Sequence, residues 1–154
     1  AFTHKLPLFV DPKVQHANYY ENRYNITAMT PNIHEAIGLV NDKNLHTESD
    51  IVAIGKKLLG YFKHKHLVIT RGQNGISVFD HTHPIQVQHL PTTANNVFDV
   101  SGAGDTVIAT LALAYASEYD IYESAKLANH AAGIVVGKHG TATVTFEELM
   151  YACQ

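Results

Sequence analysis

The sequence has little of what marks several large classes of protein. It holds one cysteine, Cys153, in 154 residues, which excludes an internal disulfide framework and suits a reducing compartment. Eleven basic residues stand against 14 acidic ones, a formal charge of −3, so the basic surplus of nucleic-acid-binding proteins is missing. The apolar runs are shorter than a bilayer span, and no signal-peptide pattern opens the chain. These absences predict a soluble cytoplasmic protein without a nucleic-acid or membrane partner.

What the sequence does contain indicates one folded unit. Apolar residues make up 45% of the chain and charged residues 16%, a composition that can bury a substantial core. No repeat, low-complexity tract or Pro/Ser-rich linker divides it. Strand and helix patterns alternate at the front of the chain, and hairpin-like strands and then helices follow. This order predicts an α/β fold with a largely parallel sheet.

The element boundaries are predicted from apolar patterns and helix-capping residues. Strands are predicted at residues 6–10, 26–29, 67–70, 76–79 and 85–88, the last two with the alternation typical of partly exposed strands. Helices are predicted after the N-cap candidates Asn32, Thr47 and Thr145, and at residues 106–116 and 122–136. The helix at 106–116 is apolar almost all round, which predicts that it is buried.

A glycine turn, Gly102-Ala103-Gly104-Asp105, leads directly into that helix. Small residues let the backbone approach a ligand, and the first N–H groups of a helix favour an anion. A carboxylate beside a resting phosphate would repel it. The arrangement makes chemical sense if Asp105 takes a proton from an attacking hydroxyl while the N–H groups stabilise a moving phosphoryl group.

The glycine turn also has a plain structural interpretation. It would then be a tight turn before a helix, with Asp105 as an ordinary acidic residue in the first helical turn. Two familiar phosphate-binding patterns are absent from the sequence: GxxxxGK[ST] does not occur, and the turn lacks the third glycine of a dinucleotide fingerprint.

Residues 99–105, DVSGAGD, resemble the signature of the PfkB, or ribokinase-like, carbohydrate kinases. Four more segments agree with that family in order and spacing: residues 10–13, residues 30–32 with Glu35, residues 70–72 with Gly75, and the alanine-rich helix around Asn129. Residues 97–106, 128–129 and 133–138 resemble one branch in particular, the D-glycero-D-manno-heptose 7-phosphate kinases, which also form the kinase domain of bifunctional ADP-heptose synthases.

The resemblance implies a role for each matching residue around the phosphates. Asp105 would be the general base that activates the sugar hydroxyl, and Gly102, Ala103 and Gly104 would form the backbone anion hole. Asn32 and Glu35 match an N-x-x-E pattern that helps to hold Mg²⁺ through water and approaches the ATP phosphates, in keeping with the preference of that ion for retained waters. The same pair also reads as a plain helix cap, and both interpretations can hold together.

The remaining matches are implied to surround the nucleotide. Thr70, Gly72 and Gly75 correspond to a turn that lies along it. Asn129 would border the adenine pocket, or would simply be an asparagine at the edge of the core. Asp99 matches a residue that helps to bind a monovalent cation in many relatives. For Lys13 and Arg71 two interpretations stay open, a contact with phosphate or a solvated position on a loop.

The resemblance implies a ribokinase-like three-layer α/β sandwich and a MgATP-dependent kinase. Its substrate would be D-glycero-β-D-manno-heptose 7-phosphate, phosphorylated at the anomeric hydroxyl, in ADP-heptose biosynthesis for lipopolysaccharide core. The alternatives are a related sugar or nucleoside kinase of the same family and a non-catalytic nucleotide-binding module. Intact Asp105 favours a kinase, because a module that only binds nucleotide needs no base in that turn.

Residues 1–154 are expected to form the C-terminal part of such a kinase domain, the part that binds the nucleotide and carries the base. A strand is predicted almost at once, and nothing in the chain resembles the family's N-terminal sugar-binding part. That part includes a small β-sheet lid through which a homodimer would form. We therefore expect the isolated chain to be inactive as a kinase.

Eleven histidines are the one compositional oddity, with pairs at His64/His66 and His81/His83. Two-residue spacing on a strand places both members of a pair on one face, where they could ligate a metal. No acidic or cysteine partner accompanies them, so solvated surface histidines are the expectation. His34, inside the N-x-x-E segment, is expected on the helix surface.

Overall fold

A computed structural model describes residues 6–21, 25–45, 47–82, 84–94 and 96–154. The strands are β1 (Phe9–Val10), β2 (Ala28–Met29), β3 (His66–Thr70), β4 (Ile76–Asp80) and β5 (Gln86–Leu90). The helices are α1 (Ala17–Tyr20), α2 (Ile33–Val40), α3 (Ile51–Phe62), α4 (Ala103–Ala116), α5 (Ile121–Val136) and α6 (Phe146–Ala152). Short 3-10 turns occupy Val14–His16, Glu48–Asp50 and Gly72–Asn74. Every predicted strand and helix has a counterpart, although β1 and β2 are shorter than predicted.

The five strands form one sheet in the order β1-β2-β3-β4-β5. β1, β2 and β3 are parallel to one another, whereas β3 pairs with β4, and β4 with β5, in antiparallel fashion. In the central pairing Leu67 faces Phe79 and Val68 faces Val78. The predicted α/β class is confirmed, with the parallel pairings confined to the first three strands.

Successive side chains of a strand point to opposite faces of the sheet. Both faces are apolar here, and helices cover each of them. Leu67 and Ile69 of β3 pack in one core with residues of α2 and α3. Val68, between them, packs in a second core with residues of α4 and α5. The result is a three-layer sandwich with two apolar cores.

Two predictions about burial are wrong. β4 was expected to be partly exposed, but Ile76, Val78 and Phe79 are buried, because both faces of this strand are covered and it lies between two others. The helix expected to be buried all round has Leu113 71% exposed, although Val107 and Leu111 are buried. That helix, α4, packs against α5 and the sheet on one side.

Several loops meet at one edge of the sheet. The parallel strands β1, β2 and β3 end there, so residues 11–13, 30–32 and 71–75 all lie along this edge. β5 ends there too, since Leu90 pairs with Ile76 at the start of β4. In α/β sheets the carboxyl ends of parallel strands are where ligands bind. Among the described residues, no helix combines the length and apolar character needed to cross a membrane.

Candidate active site

A cavity of about 470 Å³ opens between the loop after β3, the segment after β5, and helices α4 and α5. Its lining includes six of the residues predicted from the sequence: Thr70, Gly72, Gly75, Ala103, Gly104 and Asn129. The other predicted site residues, which are Gly102, Asp105, Asn32, Glu35 and Asp99, lie outside the described lining. The structure therefore brings together the residues implied to surround a nucleotide.

The turn after β3 needs glycine at two positions. Gly72 and Gly75 have φ angles of 55° and 78°, which glycine adopts without steric cost. The Arg71 N–H closes the turn by donating to the Gly75 carbonyl at 2.8 Å. A Cβ on Gly75 would lie 2.0 Å from the Leu90 carbonyl oxygen, so the turn packs flush against the end of β5.

Asn129 fastens the segment after β5 to helix α5. Its buried side-chain amide donates to the Pro91 carbonyl at 2.7 Å, and the Thr93 hydroxyl donates to the Asn129 carbonyl at 3.1 Å. A Cβ on Gly133, one turn further along, would lie 2.6 Å from the Thr93 hydroxyl oxygen. Asn129 thus borders the cavity and also holds one of its walls in place. It is both a pocket residue and a buried asparagine at the edge of the core.

Small and apolar residues to which the sequence analysis gave no individual role also line the cavity. The loop before α4 contributes Val97 and Val100, both exposed. From α5 come Ala132, Gly133 and Val136. Together with Asn129 these three follow the i, i+3, i+4, i+7 spacing of one helix face. That spacing was a usable signal in the sequence, because it identifies the other residues on the Asn129 face.

The glycine turn forms the first turn of α4, which begins at Ala103 rather than at Thr106. Gly102 is the N-cap, with a φ of 79°, and its carbonyl accepts both the Thr106 N–H at 2.9 Å and the Thr106 hydroxyl at 3.0 Å. The Ala103 N–H donates to the Val100 carbonyl at 3.2 Å. The N–H groups of Gly104 and Asp105 follow at positions where a helix offers no intrahelical acceptor.

Asp105 is exposed in the first turn of α4. Within the described part of the chain, its carboxylate makes no hydrogen bond and no ion pair. The positive end of the helix dipole favours a carboxylate at this position. Among the described residues, the Asp105 carboxyl group therefore has no partner and lies beside backbone N–H donors.

The Asp99 side chain accepts a hydrogen bond within the loop that precedes this turn. Its Oδ1 accepts the Ser101 N–H at 2.8 Å. That hydrogen bond holds the pKa of the Asp99 carboxyl below its usual value. Asp99 therefore stays charged, as a ligand for a cation must.

Asn32 and Glu35 form the predicted capping box of α2. The Asn32 side chain accepts the Glu35 N–H, and Glu35 Oε2 accepts the Asn32 N–H, both at 2.9 Å. Glu35 Oε1 lies 2.8 Å from the Lys13 ammonium, which also lies 2.9 Å from Asp11. The hydrogen bond to Glu35, followed by the one to Asp11, raises the pKa of Lys13 above its usual value. The Thr70 N–H donates to the Pro31 carbonyl, and this bond places the capping box beside the turn after β3.

Arg71 points away from the cavity lining. Its guanidinium lies 3.3 Å from the carboxylate of Glu48, and Asn74 donates to the same carboxylate at 2.8 Å. The arginine side chain is mostly buried. Arg71 therefore ties the turn after β3 to the start of α3, a third arrangement beside the two that the sequence left open.

Comparisons with known proteins identify the family of this chain. The family model described as pfkB family carbohydrate kinase matches residues 1–148. The chain belongs to the pfkB family. The proteins named Bifunctional protein HldE from Mesorhizobium japonicum and Pseudomonas entomophila are 44% and 42% identical to it, over 93% and 97% of this chain. It spans 27% and 30% of those two relatives, so it matches less than a third of their length.

Solved structures share the fold of this pfkB chain. Phosphofructokinase-2 from Escherichia coli, in complex with substrates and products, superimposes with a TM-score of 0.82 at 19% identity, over 95% of this chain and 46% of that one. Ribokinase from Arabidopsis thaliana, complexed with ribose and ATP, gives 0.77 at 20% identity, over 95% and 47%. The predicted ribokinase-like fold is confirmed.

The prediction that the histidine pairs are solvated is wrong for His64 and His66. They are only 2% and 4% exposed, because His64 stacks on Phe62 and His66 lies against Tyr115. His34 is exposed as expected, and His83 lies outside the described residues. No group of three or more His, Cys, Asp or Glu residues within the described ranges is arranged to hold a metal ion.

The buried histidines give this pfkB chain an acid-sensitive stability. Burial lowers the pKa of His64 to about 4, against a hydrogen bond with the Tyr20 backbone that raises it. The unfolded state then binds more protons than the folded state between about pH 6.5 and pH 4. We expect the free energy of unfolding to fall as the pH drops through that window, by on the order of 3 kcal/mol from this residue. Urea titrations at a series of pH values measure the effect.

The variant His64→Phe keeps an aromatic ring against Phe62 but does not titrate. Its unfolding free energy should therefore depend less steeply on pH between 6.5 and 4 than that of the original chain. Equal slopes would show that His64 is not the group responsible. Burial also lowers the pKa of His66, although Asp80 opposes the shift, so some acid sensitivity remains in the variant.

Proposed function

We propose that this chain carries the nucleotide-binding and catalytic-base part of a sugar kinase, and that the kinase phosphorylates D-glycero-β-D-manno-heptose 7-phosphate at its anomeric hydroxyl. The observation that carries the proposal is the exposed Asp105 carboxylate in the first turn of α4, next to the cavity-lining Ala103 and Gly104. The choice of sugar is supported by the 42–44% identity to proteins named Bifunctional protein HldE.

In the proposed reaction, Asp105 accepts the proton of the sugar hydroxyl as its oxygen attacks the γ-phosphorus of ATP. The bond between that phosphorus and the bridging oxygen breaks, and ADP leaves with the electron pair. The anion hole was predicted at Gly102, Ala103 and Gly104, but the Ala103 N–H donates to the Val100 carbonyl. The N–H groups of Gly104 and Asp105 are therefore the ones proposed to stabilise negative charge on the transferring group. Rate enhancement then comes mainly from positioning and from these preorganised dipoles.

The cavity suits the base and ribose of the nucleotide. Apolar side chains of Val97, Val100 and Val136 offer flat contacts for a ring, and no charged residue occurs among the described residues of the lining. Thr70, Gly72 and Gly75 belong to its lining, and at Gly72, where a Cβ would meet no atom within 4 Å, a ligand can approach the backbone closely. The phosphates would extend from this cavity toward the first turn of α4.

The donor set near the phosphates fits Mg²⁺. Glu35 and Asp11 supply carboxylate oxygens at the sheet edge, and Mg²⁺ prefers such oxygens together with several retained waters. Bound there as MgATP, the ion would neutralise charge on the β- and γ-phosphates. Asp99 is proposed to help hold a monovalent cation; a potassium complex is known for Phosphofructokinase-2 from Escherichia coli, whose fold is similar.

The isolated chain is expected to bind nucleotide without turning over sugar. A sugar phosphate needs cationic or multiple polar partners, and nothing in this sequence resembles the family's sugar-binding part, which would supply them. Calorimetry should detect MgADP binding, while a coupled assay with heptose 7-phosphate and MgATP should give no product above background. Absence of nucleotide binding would contradict the proposed function, and robust turnover would contradict the proposed division of labour.

Sugar specificity is tested in the complete gene product that contains this chain. We expect heptose 7-phosphate to give the highest kcat/KM in a panel with fructose 6-phosphate, ribose and adenosine. A clear preference for another member of the panel would contradict the proposed substrate, although the chain would still belong to a pfkB-family kinase.

A further inference from the structure

Lys13 lies on an exposed loop, yet its ammonium contacts two carboxylates at once. Its ammonium lies 2.9 Å from a carboxylate oxygen of Asp11 and 2.8 Å from one of Glu35. The two acids come from different strand–loop units, after β1 and in α2. The main-chain N–H of Lys13 donates to the Tyr20 hydroxyl at 3.0 Å. Lys13 is thus anchored at its backbone and bridges two elements through its side chain.

Glu35 has both carboxylate oxygens engaged. Oε1 accepts from the Lys13 ammonium and Oε2 accepts from the Asn32 N–H. Its side chain is only 16% exposed. A mostly buried carboxylate held at both oxygens keeps one orientation, whereas the capping bond alone would leave more freedom about the last side-chain bond. The lysine therefore determines which way the free lone pairs of Glu35 point.

Charge adds a second effect. Lys13, Asp11 and Glu35 together carry one net negative charge, and without the lysine they would carry two at the same place. Two carboxylates within hydrogen-bond distance of one ammonium are close enough to share a cation. Removing Lys13 would leave a pair of hard oxygen donors of the kind that divalent metals bind directly.

We propose that Lys13 is a positioning residue for Glu35, and that its ammonium keeps the Asp11–Glu35 pair from capturing a divalent ion in the absence of nucleotide. A divalent ion would then be held at this pair only together with the phosphates of the nucleotide. The exclusion of a divalent ion is a property of the chain itself, whereas the positioning role of Lys13 rests on the proposed function. Neither requires Lys13 to touch a phosphate.

The direct test measures Mn²⁺ binding to the nucleotide-free chain by electron paramagnetic resonance. The substitution Lys13→Met removes the charge but keeps an unbranched side chain, and we expect it to tighten Mn²⁺ binding about tenfold, as loss of one nearby positive charge implies. Lys13→Arg should restore weak binding. Adding Glu35→Gln to Lys13→Met should abolish the gain, because one of the two carboxylates is then lost.

A matched control comes from Lys57, which pairs with Asp42 elsewhere on the surface. Lys57→Met also removes one positive charge and one ion pair, so it should leave Mn²⁺ binding within about twofold. Equal tightening in both variants would reduce the effect to net charge and overturn the proposal. Unchanged Mn²⁺ affinity in Lys13→Met would overturn it as well.

The positioning half is tested in the complete gene product by the Mg²⁺ dependence of phosphoryl transfer. Lys13→Met should lower kcat and flatten the response to Mg²⁺ with little change in the KM for sugar, and Lys13→Arg should recover most of kcat. A rise in the KM for ATP alone would identify a phosphate contact and contradict the positioning role. If the original protein shows no transfer, the proposed function fails while the Mn²⁺ result still stands on its own.

Discussion

Replacing Asp105 with asparagine is expected to lower kcat for phosphoryl transfer by about 10²–10⁴-fold, the usual contribution of a general base. The amide keeps the size of the side chain and its place in the first turn of α4, but it cannot accept the hydroxyl proton. MgADP affinity should stay within about twofold, because Asp105 lies outside the cavity lining. Steady-state kinetics on the complete gene product and calorimetry on the chain give the two measurements.

Glu123 offers a matched control for that substitution. It stands at the same position of α5, the third helical residue after the N-cap Asp120, and it is exposed. Glu123→Gln removes the same interaction with a helix dipole, worth about 0.3–1 kcal/mol, but should leave kcat unchanged. Unaltered turnover in Asp105→Asn would exclude Asp105 as the base. Equal losses in both variants would indicate an effect on helix stability instead.

Gly75→Ala is expected to cause the largest loss of stability among substitutions at the site. Its φ of 78° is strained for alanine, and the new Cβ would lie 2.0 Å from the Leu90 carbonyl oxygen, a backbone atom that cannot rotate away. Strain and overpacking together should lower the unfolding free energy by about 3 kcal/mol or more. Urea denaturation measures the loss, and MgADP affinity should fall with it because the turn borders the cavity.

Gly72→Ala measures the cost of a positive φ without steric overlap, although the backbone of Gly75, with φ 78° and ψ −133°, lies outside the left-handed helical region. Gly72 also has a positive φ, 55°, but a Cβ there would meet no atom within 4 Å. Only the left-handed conformation is then penalised, which costs about 1 kcal/mol. Equal destabilisation by the two variants would mean that the contact with Leu90 does not decide the requirement for glycine at position 75.

The parts of the site that the sequence could predict depend on local chemistry. The capping boxes at Asn32/Glu35 and Thr145/Glu148 are present as predicted, because a cap needs only residues three positions apart. These predictions required no knowledge of which elements pack together.

What the sequence could not supply concerns contacts between distant elements. The predicted environments of His64 and Leu113 are both wrong, since His64 is buried and Leu113 is exposed in the structure. Burial depends on which neighbouring elements cover a side chain, and the local sequence does not show this. The cavity walls at Val97 and Val100 depend on how the loop before α4 crosses α5, where the Phe98 N–H donates to the Val136 carbonyl. Nothing in the local pattern encodes such a crossing.

Two acidic residues are central to the proposed chemistry, Glu35 and Asp105. They differ in whether a structural role would still constrain them if the kinase activity were lost. Glu35 closes a helix cap and an ion pair, so it would still stabilise the fold of an inactive descendant. Asp105, exposed and without a hydrogen bond or ion pair in the described part of the chain, has no such second duty. In related sequences, loss of the aspartate at this position should therefore be the earlier sign of a kinase that has become a binding protein.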